Sequence, residues 1–216
     1  MVDRQRERDR SSEGALSRSD LVHSNVLQKM KGLPLVLSTA ESRMPILGAT
    51  TPPPASCRTC DSELTHIFAI ALDSHPNPVI QELGGMINVY QCTNDPGMCE
   101  DWDAHAGGNY SVYSAGGKSI LDCDPSGLLA DTGREVSSKD ELIAILESDS
   151  NVVGALADAA LWIQADETPQ CSCGALMSFV GQVEECANSR FNFGGGGCSY
   201  VFLCKDCKES RFLWQC

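Results

Sequence analysis

The sequence predicts an α+β fold, built mostly of antiparallel β-units in a duplicated, pseudo-symmetric arrangement with few helices. The first observation is a repeated pattern, Gly-Gly-x-x-x-Val-aromatic-x-Cys, which occurs at Gly84–Cys92 and again at Gly196–Cys204, 112 positions later. The second is that a cysteine pair precedes each copy and a further cysteine follows it. The third is that only one stretch carries a strong helix signal. A β-unit with cysteines at both ends, present twice, indicates internal duplication of a metal-binding knuckle.

The first β-unit begins at Cys57 and is predicted to contain three strands. Their apolar or alternating segments are bounded by turn residues, which favours strands at Leu64–Leu72, Met86–Gln91 and Tyr110–Tyr113. The segment Thr93–Gly97 is dense in Asn, Asp, Pro and Gly, so it predicts a turn after the second strand.

A polar linker over residues 127–137 separates the two units, and the clearest helix follows it. Ser138 and Glu141 form a capping box before an apolar run, which predicts a helix over Lys139–Glu147. Asn151–Ala160 is interpreted as a second short helical or irregular piece. The strands of the second unit are then predicted at Leu161–Gln164, Ala175–Gln182, Ser199–Leu203 and Arg211–Gln215.

The chain is predicted to divide into an extension and one domain. Residues 1–44 are rich in charged residues and serine, which is typical of a flexible N-terminal extension, with one weak helix around Asp20–Lys31. Residues 45–216 are predicted to form a single domain of two β-repeats, at about 45–126 and 150–216, joined by the linker and the helix.

Composition excludes several classes of function. The chain has 216 residues, of which 42% are hydrophobic, so it can bury a core. Its net charge of −13 argues against binding to a nucleic-acid backbone or an anionic membrane, since both need a basic surface. No apolar run is long enough to span a bilayer. The acidic charge favours a basic protein partner, or simply solubility. Met1–Arg10 has no apolar region of the kind that a secretory signal contains, so a cytoplasmic location is predicted.

In a reducing compartment, paired cysteines are more often metal ligands than disulfides. Zinc is the predicted ion, because a tight turn can direct two thiolates to one tetrahedral metal. The first predicted site comprises Cys57, Cys60, Cys92 and Cys99. Its closing spacing is loose, so Asp95 or Cys123 is an alternative for one ligand. Reduced buried cysteines and a disulfide or redox pair are the other interpretations.

The second predicted zinc site comprises Cys171, Cys173, Cys204 and Cys207. Its opening pair is one residue shorter than that of the first site, which makes two sulfurs harder to direct to one ion. The remaining cysteines are interpreted as buried free thiols, with a bridge between the last two as an alternative: Cys123, Cys186, Cys198 and Cys216.

Other residue types provide weaker candidates. His66 lies in an apolar strand and is interpreted as a core or edge histidine, while His105 lies in an acidic loop that could bind a cation. Gly194–Gly197 resembles a phosphate loop but lacks the Lys-Ser/Thr ending, so a hairpin bend is the preferred interpretation. No base can be placed beside a nucleophile, so no catalytic residue is predicted.

Several motifs in the second half occur in an order that resembles a known family. They are the Trp-Ile-Gln segment, the Pro-Gln-Cys-Ser-Cys-Gly knuckle, the Met-Ser-Phe strand, and two later segments, Tyr200–Cys207 and Phe212–Cys216. Together these resemble the YwqG-like family, which comprises uncharacterised, mostly bacterial cytoplasmic proteins. Members of that family often have Cys-x-x-His where this chain has Cys204 and Cys207, an exchange that preserves zinc ligation.

The first half, from Cys57 to Cys92, also resembles the knuckle-and-strand unit of programmed-cell-death-2-like proteins, which act as chaperones of a ribosomal protein. The resemblances imply an immunity-like or chaperone-like role. The predicted function is therefore a zinc-stabilised protein-interaction module. The alternative is a metal- or thiol-dependent enzyme acting in the cleft between the repeats.

Overall fold

The computed structural model describes residues 29–37, 56–95, 97–99, 102–105, 107–116, 129–185 and 192–216. Within them lie ten strands: β1 (Lys29–Leu37), β2 (Thr65–Ala71), β3 (Met86–Gln91), β4 (Asn109–Ser114), β5 (Leu129–Asp131), β6 (Val136–Ser138), β7 (Val152–Ala157), β8 (Ser178–Glu184), β9 (Cys198–Leu203) and β10 (Ser210–Gln215). The helices are α1 (Pro78–Leu83) and α2 (Lys139–Ser148). The predicted α+β class with mostly antiparallel strands and few helices is confirmed.

The strands form two sheets. The larger has seven strands in the order β10-β9-β8-β7-β1-β5, with β6 paired to β1, and the smaller has three in the order β2-β3-β4. Every assigned strand pair is antiparallel. Both sheets contribute to one apolar core, which includes Phe68, Ile87 and Val89 from the smaller sheet and Val180, Val201 and Phe212 from the larger. No helix among the described residues is both long and apolar enough to cross a membrane.

The predicted helix is present as α2, and its capping explains its position. Ser138 Oγ accepts a hydrogen bond from the backbone N–H of Glu141 at 3.2 Å, and a Glu141 carboxylate oxygen accepts one from the Ser137 N–H at 3.0 Å. Leu142 and Ile145 bury the apolar face of the helix. The backbone N–H groups of Ser137 and Glu141 thus both find side-chain acceptors, and the capping box marks the beginning of α2 correctly.

Strands β2 and β3 pair with a β-bulge at one defined position. Tyr90 lies opposite His66 and Val89 lies opposite Phe68, so the register shifts at Ile67. The side chain of Ile67 is buried in the core between the sheets. The bulge therefore places one extra apolar side chain into the core while the strand pairing continues on either side.

Strands β8 and β9 contain the same irregularity. Phe202 lies opposite Phe179 and Val201 lies opposite Gly181, so the register shifts at Val180, which is also buried in the shared core. In both strand pairs the bulge therefore lies opposite the Val-aromatic step of the repeated Gly-Gly-x-x-x-Val-aromatic-x-Cys pattern. Strands β4 and β10 continue the correspondence, since each completes a three-stranded antiparallel meander.

Side chains of the repeated pattern also face equivalent directions. Val89 and Val201 belong to the shared core, whereas Tyr90 and Phe202 pack in clusters that contain cysteines. This is the alternation that a duplicated strand requires. Matching register, matching bulge and matching faces support duplication, which itself stays a prediction.

Four segments form strands that the sequence interpretation did not assign, and two of them, β5 and β6, lie in or at the end of the stretch 127–137 that was predicted as a polar linker. Lys29–Leu37 was placed within the flexible extension and a weak helix, but it forms β1 between β7 and β5, with Met30, Leu33 and Leu35 buried. Burial of its short apolar run therefore determines the structure of this segment, despite the charged sequence before it. Residues 1–28 and 38–55 lie outside the described residues, so the flexible extension over the rest of 1–44 stays a prediction.

Strand β7 corrects the prediction of a helical or irregular piece over Asn151–Ala160. All six of its residues are buried, and it pairs with β1 on one side and β8 on the other. A Cβ at Gly154 would lie 2.1 Å from the Gln182 carbonyl oxygen, so the strands approach closely there. A buried central strand made of small apolar residues shows no alternation of apolar and polar residues, so its sequence pattern did not identify it as a strand.

The segment Leu161–Gln164, predicted as a strand, is instead an irregular loop. Its backbone is held by buried side chains. The N–H groups of Leu161, Ile163 and Gln164 donate to the side-chain oxygens of Gln182, Tyr200 and Gln215 at 2.9, 3.0 and 2.9 Å, respectively. Polar side chains from the adjacent sheet thus replace the strand partner, and the loop satisfies its donors without ladder pairing.

Candidate metal centres

The first cysteine group, here called centre 1, gathers Cys57, Cys60, Cys92 and Cys99, whose sulfur atoms all lie within 4.8 Å of one another. Cys92 Sγ lies 3.6 Å from Cys60 Sγ and 3.6 Å from Cys99 Sγ. Tetrahedral zinc with Zn–S bonds of about 2.3 Å separates its sulfurs by about 3.8 Å. The spacing therefore suits a four-thiolate metal site, with Cys99 as the fourth member. Asp95 is not part of the group, and Cys123 lies outside the described residues.

The opening knuckle of centre 1 is a tight hairpin. An isolated bridge between Ser56 and Glu63 closes it, and the Cys57 N–H donates to the Ser62 carbonyl at 2.7 Å. Asp61, which follows the second cysteine, has φ of 59°. A left-handed residue at this point turns the chain back sharply, so that both sulfurs of the pair lie on one side.

The second group, centre 2, gathers Cys171, Cys173, Cys204 and Cys207 within the same 4.8 Å limit. Cys173 Sγ lies 3.9 Å from Cys204 Sγ. Cys204 directly follows β9 as Cys92 directly follows β3, and both backbone N–H groups donate at 2.8 Å to a carbonyl just before the next strand. The two centres therefore occupy equivalent places on their meanders.

The shorter Cys171-Ser-Cys173 pair does not prevent convergence. A bridge between Gln170 and Leu176 closes this hairpin, and Gly174 follows the second cysteine with φ of 85°. Lys208 follows Cys207 in the same way, with φ of 61°. A left-handed residue thus follows Cys60, Cys173 and Cys207 alike, and the chain turns back at each of these cysteines whatever the spacing of the pair. Sequence reasoning missed this feature, for which Gly174 was the visible signal.

Hydrogen bonds favour the thiolate form at one cysteine of each centre. The hydroxyl and backbone N–H of Ser62 lower the pKa of Cys60 to about 6. The backbone N–H of Cys207 is the main cause that lowers the pKa of Cys204 to about 7. Donors aimed at sulfur stabilise its negative charge, which is the form that a metal binds.

Other thiols of the two centres resist ionisation. Burial raises the pKa of Cys99, and contact with the thiols of Cys173 and Cys171 raises the pKa of Cys207 to about 12. Four thiolates within 4.8 Å would repel one another strongly. A divalent cation at the centroid removes this repulsion, so the donor sets fit a metal and disfavour four free thiolates.

The two centres differ in exposure. In centre 1, Cys57, Cys92 and Cys99 are at most 2% exposed, and Cys60 is partly buried. In centre 2, Cys173 and Cys207 are exposed. Centre 1 is therefore enclosed by Leu64 and Tyr90, whereas solvent reaches two sulfurs of centre 2 directly.

A carboxylate adjoins centre 2. Glu209 accepts hydrogen bonds from the Cys171 thiol at 3.3 Å and the Ser172 hydroxyl at 2.5 Å, and it forms an ion pair with Arg211. The Ser172 hydroxyl is the main cause that lowers the pKa of Glu209 to about 2. Glu209 thus stays charged and ties the opening knuckle of centre 2 to the start of β10.

Two of the remaining cysteines, Cys198 and Cys216, belong to neither centre. Cys198 is buried, Cys216 is exposed, and the alternative disulfide between them is not formed. None of the ten cysteines within the described ranges forms a disulfide, while Cys123 and Cys186 lie outside those ranges. Cys198 donates to the Ser199 carbonyl at 3.5 Å, as expected for a cysteine that packs as a small apolar residue.

The histidines lie apart from both cysteine groups as the structure describes them. His66 packs edge-on against Tyr90, and burial lowers its pKa to about 4, which agrees with a core histidine. His75 is buried, and its ring bonds to the Val180 carbonyl at 2.8 Å. His105 lies in the loop after β3, where its backbone N–H donates to Asp103 at 2.8 Å.

The glycine-rich segment after β8 already encloses an anion. A Glu185 carboxylate oxygen accepts hydrogen bonds from the backbone N–H groups of Phe193, Gly195 and Gly196 at 2.7, 3.1 and 3.2 Å. These N–H groups are the donors that a phosphate would need. Because the chain's own carboxylate occupies them, the segment acts as a structural turn.

Comparison with known proteins leaves the family undetermined. No family model matches the chain, and no curated protein matches it at a significant level. The resemblance to the YwqG-like family therefore stays a prediction, and the functional argument depends on the two cysteine centres.

Proposed function

We propose that each cysteine centre holds one zinc ion and that the chain is a zinc-stabilised protein-interaction module. The observation that carries this proposal is the convergence of eight cysteines into two groups of four, each within 4.8 Å. Four thiolates in tetrahedral spacing are the donor set of structural zinc sites and of iron–sulfur sites. Zinc is preferred because paired knuckles on separate turns are the usual carriers of structural zinc.

The proposed role of the metal is to hold structure. Four protein thiolates fill a tetrahedral ion, which leaves no position for water or substrate. Each ion would join the turn before one meander to the turn between its second and third strands. The alternative enzyme would instead use a low-pKa thiol, such as Cys60 or Cys204, in the cleft between the meanders.

The interaction role is supported by charge and by the resemblance described above. A net charge of −13 suits a partner with a basic surface. The resemblance to YwqG-like and programmed-cell-death-2-like proteins is compatible with an immunity-like or chaperone-like role in the cytoplasm.

Metal content and thiol counting test the proposal together. We expect elemental analysis of the purified chain to give two zinc ions per molecule, because eight of the twelve cysteines lie in the two centres. At most four thiols should then react with a thiol reagent in the native, zinc-loaded protein, and all twelve after chelation under denaturing conditions. A metal-free protein with one hyper-reactive thiol would support the enzyme instead. A coloured protein that contains iron would exclude zinc.

The difference in exposure predicts an order of metal release. A chelator should remove the ion of centre 2 at least ten-fold faster than that of centre 1, because Cys173 and Cys207 are exposed whereas centre 1 is enclosed. A zinc-sensitive dye would record two phases of equal amplitude. The C204S/C207S variant should keep only the slow phase. A single fast phase in both proteins would contradict the assignment.

A further inference from the structure

A pocket of about 520 Å³ lies between the two metal centres, and its volume is that of a small-ligand site. Its lining includes Arg58, which stands between the first two cysteines of centre 1. It also includes Lys208, which directly follows Cys207 of centre 2. Each metal knuckle therefore contributes one cationic residue to the pocket, and the placement of that residue depends on the fold of its knuckle.

The lining of the pocket has the opposite charge to the rest of the protein. Arg58, Lys208 and Arg211 contribute three positive charges, and Glu209 contributes the single negative charge. The whole chain carries −13. A local excess of two positive charges in so acidic a protein attracts an anion and directs it to this pocket.

Apolar surface completes the lining. Leu64, Val112 and Phe212 provide aliphatic and aromatic walls, and Tyr110 and Tyr113 provide rings with polar tips. The amide of Asn109 joins the strands that carry these walls, because its Nδ2 donates to the Phe212 carbonyl at 3.1 Å. A mixed lining of this kind accommodates the carbon frame of an organic anion as well as its charge.

We propose that this pocket binds a carboxylate-bearing ligand, with Arg58 and Lys208 as its cationic contacts. Arginine presents several donors in a planar fork that matches the two oxygens of a carboxylate. Arg58 Nη2 already donates to the His105 carbonyl at 3.3 Å and Lys208 Nζ to the Lys205 carbonyl at 2.7 Å, so the carboxylate would share or displace these contacts. Glu209 forms an ion pair with Arg211 in the same lining, and its negative charge disfavours a phosphate dianion more than a single carboxylate. The proposal rests on the proposed function, because the metal knuckles position both cations.

The carboxylate has two possible sources, a free organic acid or an acidic side chain of a partner protein. Isothermal titration of the zinc-loaded full chain distinguishes them with three probes: glutarate, a capped six-residue glutamate peptide and inorganic phosphate. We expect glutarate or the peptide to bind and phosphate to bind at least ten-fold more weakly. Tighter binding of the peptide indicates a protein partner, and tighter binding of glutarate indicates a free acid.

Matched variants test the site itself. R58Q/K208Q should weaken binding of the preferred probe at least ten-fold, while K29Q/K139Q, which removes the same charge from residues outside the pocket lining, should leave it unchanged. Equal binding by R58Q/K208Q and the wild type would overturn the proposal, as would an equal loss in both variants or a preference for phosphate. Absence of binding by either carboxylate probe would overturn it too.

Metal content and thermal melting of each variant separate the two proposals. R58Q/K208Q removes no thiol, so it should retain two zinc ions and the melting temperature of the wild type. Zinc below two ions per chain with carboxylate binding intact would defeat the proposed function alone. Two zinc ions without carboxylate binding would defeat only the pocket.

Discussion

Replacing Cys57 and Cys92 together by serine is expected to reduce zinc from two ions to one per chain and to destabilise the protein severely. Both side chains are fully buried, and Cys92 Sγ lies 3.6 Å from two other sulfurs of centre 1. Structural zinc contributes on the order of 10 kcal/mol of binding energy that is linked to folding. This binding energy equals or exceeds the free energy of unfolding of a typical domain. Circular dichroism at 25 °C should therefore show that the variant is largely unfolded.

Cys198 provides the matched control for this variant. Its thiol is as buried as those of Cys57 and Cys92, but it belongs to neither centre. C198S should therefore keep two zinc ions and lose only about 1 to 2 kcal/mol, which is the usual cost of a small change in the core. If C57S/C92S melts like C198S, centre 1 does not hold a stabilising metal.

The strand pattern was predictable where local signals agreed with packing. Met86–Gln91 and the last strand lie almost where the sequence placed them, because a glycine pair or a cysteine turn marks each beginning and the apolar residues alternate. The capping box likewise located α2. In these segments the local sequence signals and the tertiary packing favour the same secondary structure.

The two central strands that the sequence interpretation missed share a physical cause. Strands β1 and β7 lie side by side in the middle of the larger sheet, where both faces are covered and no polar alternation is needed. β7 therefore reads as a run of small apolar residues, and β1 follows a highly charged segment. Their partners are distant in the chain, so only long-range pairing identifies them as strands.

The membership of the candidate centres was predictable from spacing, but their geometry was not. Cysteine pairs at the two ends of a repeated β-unit indicated which thiols would meet. The positive φ of Lys208 could not be inferred, because lysine seldom adopts it, and Asp61 is only one of many aspartates that could. The pocket between the centres was also invisible, since Arg58 and Lys208 are 150 positions apart in the sequence.

The C204S/C207S variant is expected to keep one zinc ion and to lose stability in the second meander. Cys204 directly follows β9, and Cys207 lies in the turn that leads to β10, so their loss would release both strands from the knuckle that carries Cys171 and Cys173. Stability should fall by several kcal/mol, which is enough to lower the melting temperature by 10 °C or more, as estimated from about 2–4 °C per kcal/mol. Thermal melting and zinc analysis of the purified variant measure both effects.

C216S is the control, because Cys216 is exposed, lies outside both centres and follows the last strand. It should retain two zinc ions and the melting temperature of the wild type. A structural centre predicts that C204S/C207S loses stability and carboxylate binding together, since Lys208 and Glu209 of the pocket follow directly in the chain. A catalytic centre predicts a folded protein that lacks only an activity. A melting curve for C204S/C207S like that of C216S would therefore refute structural zinc at centre 2 and favour the enzyme.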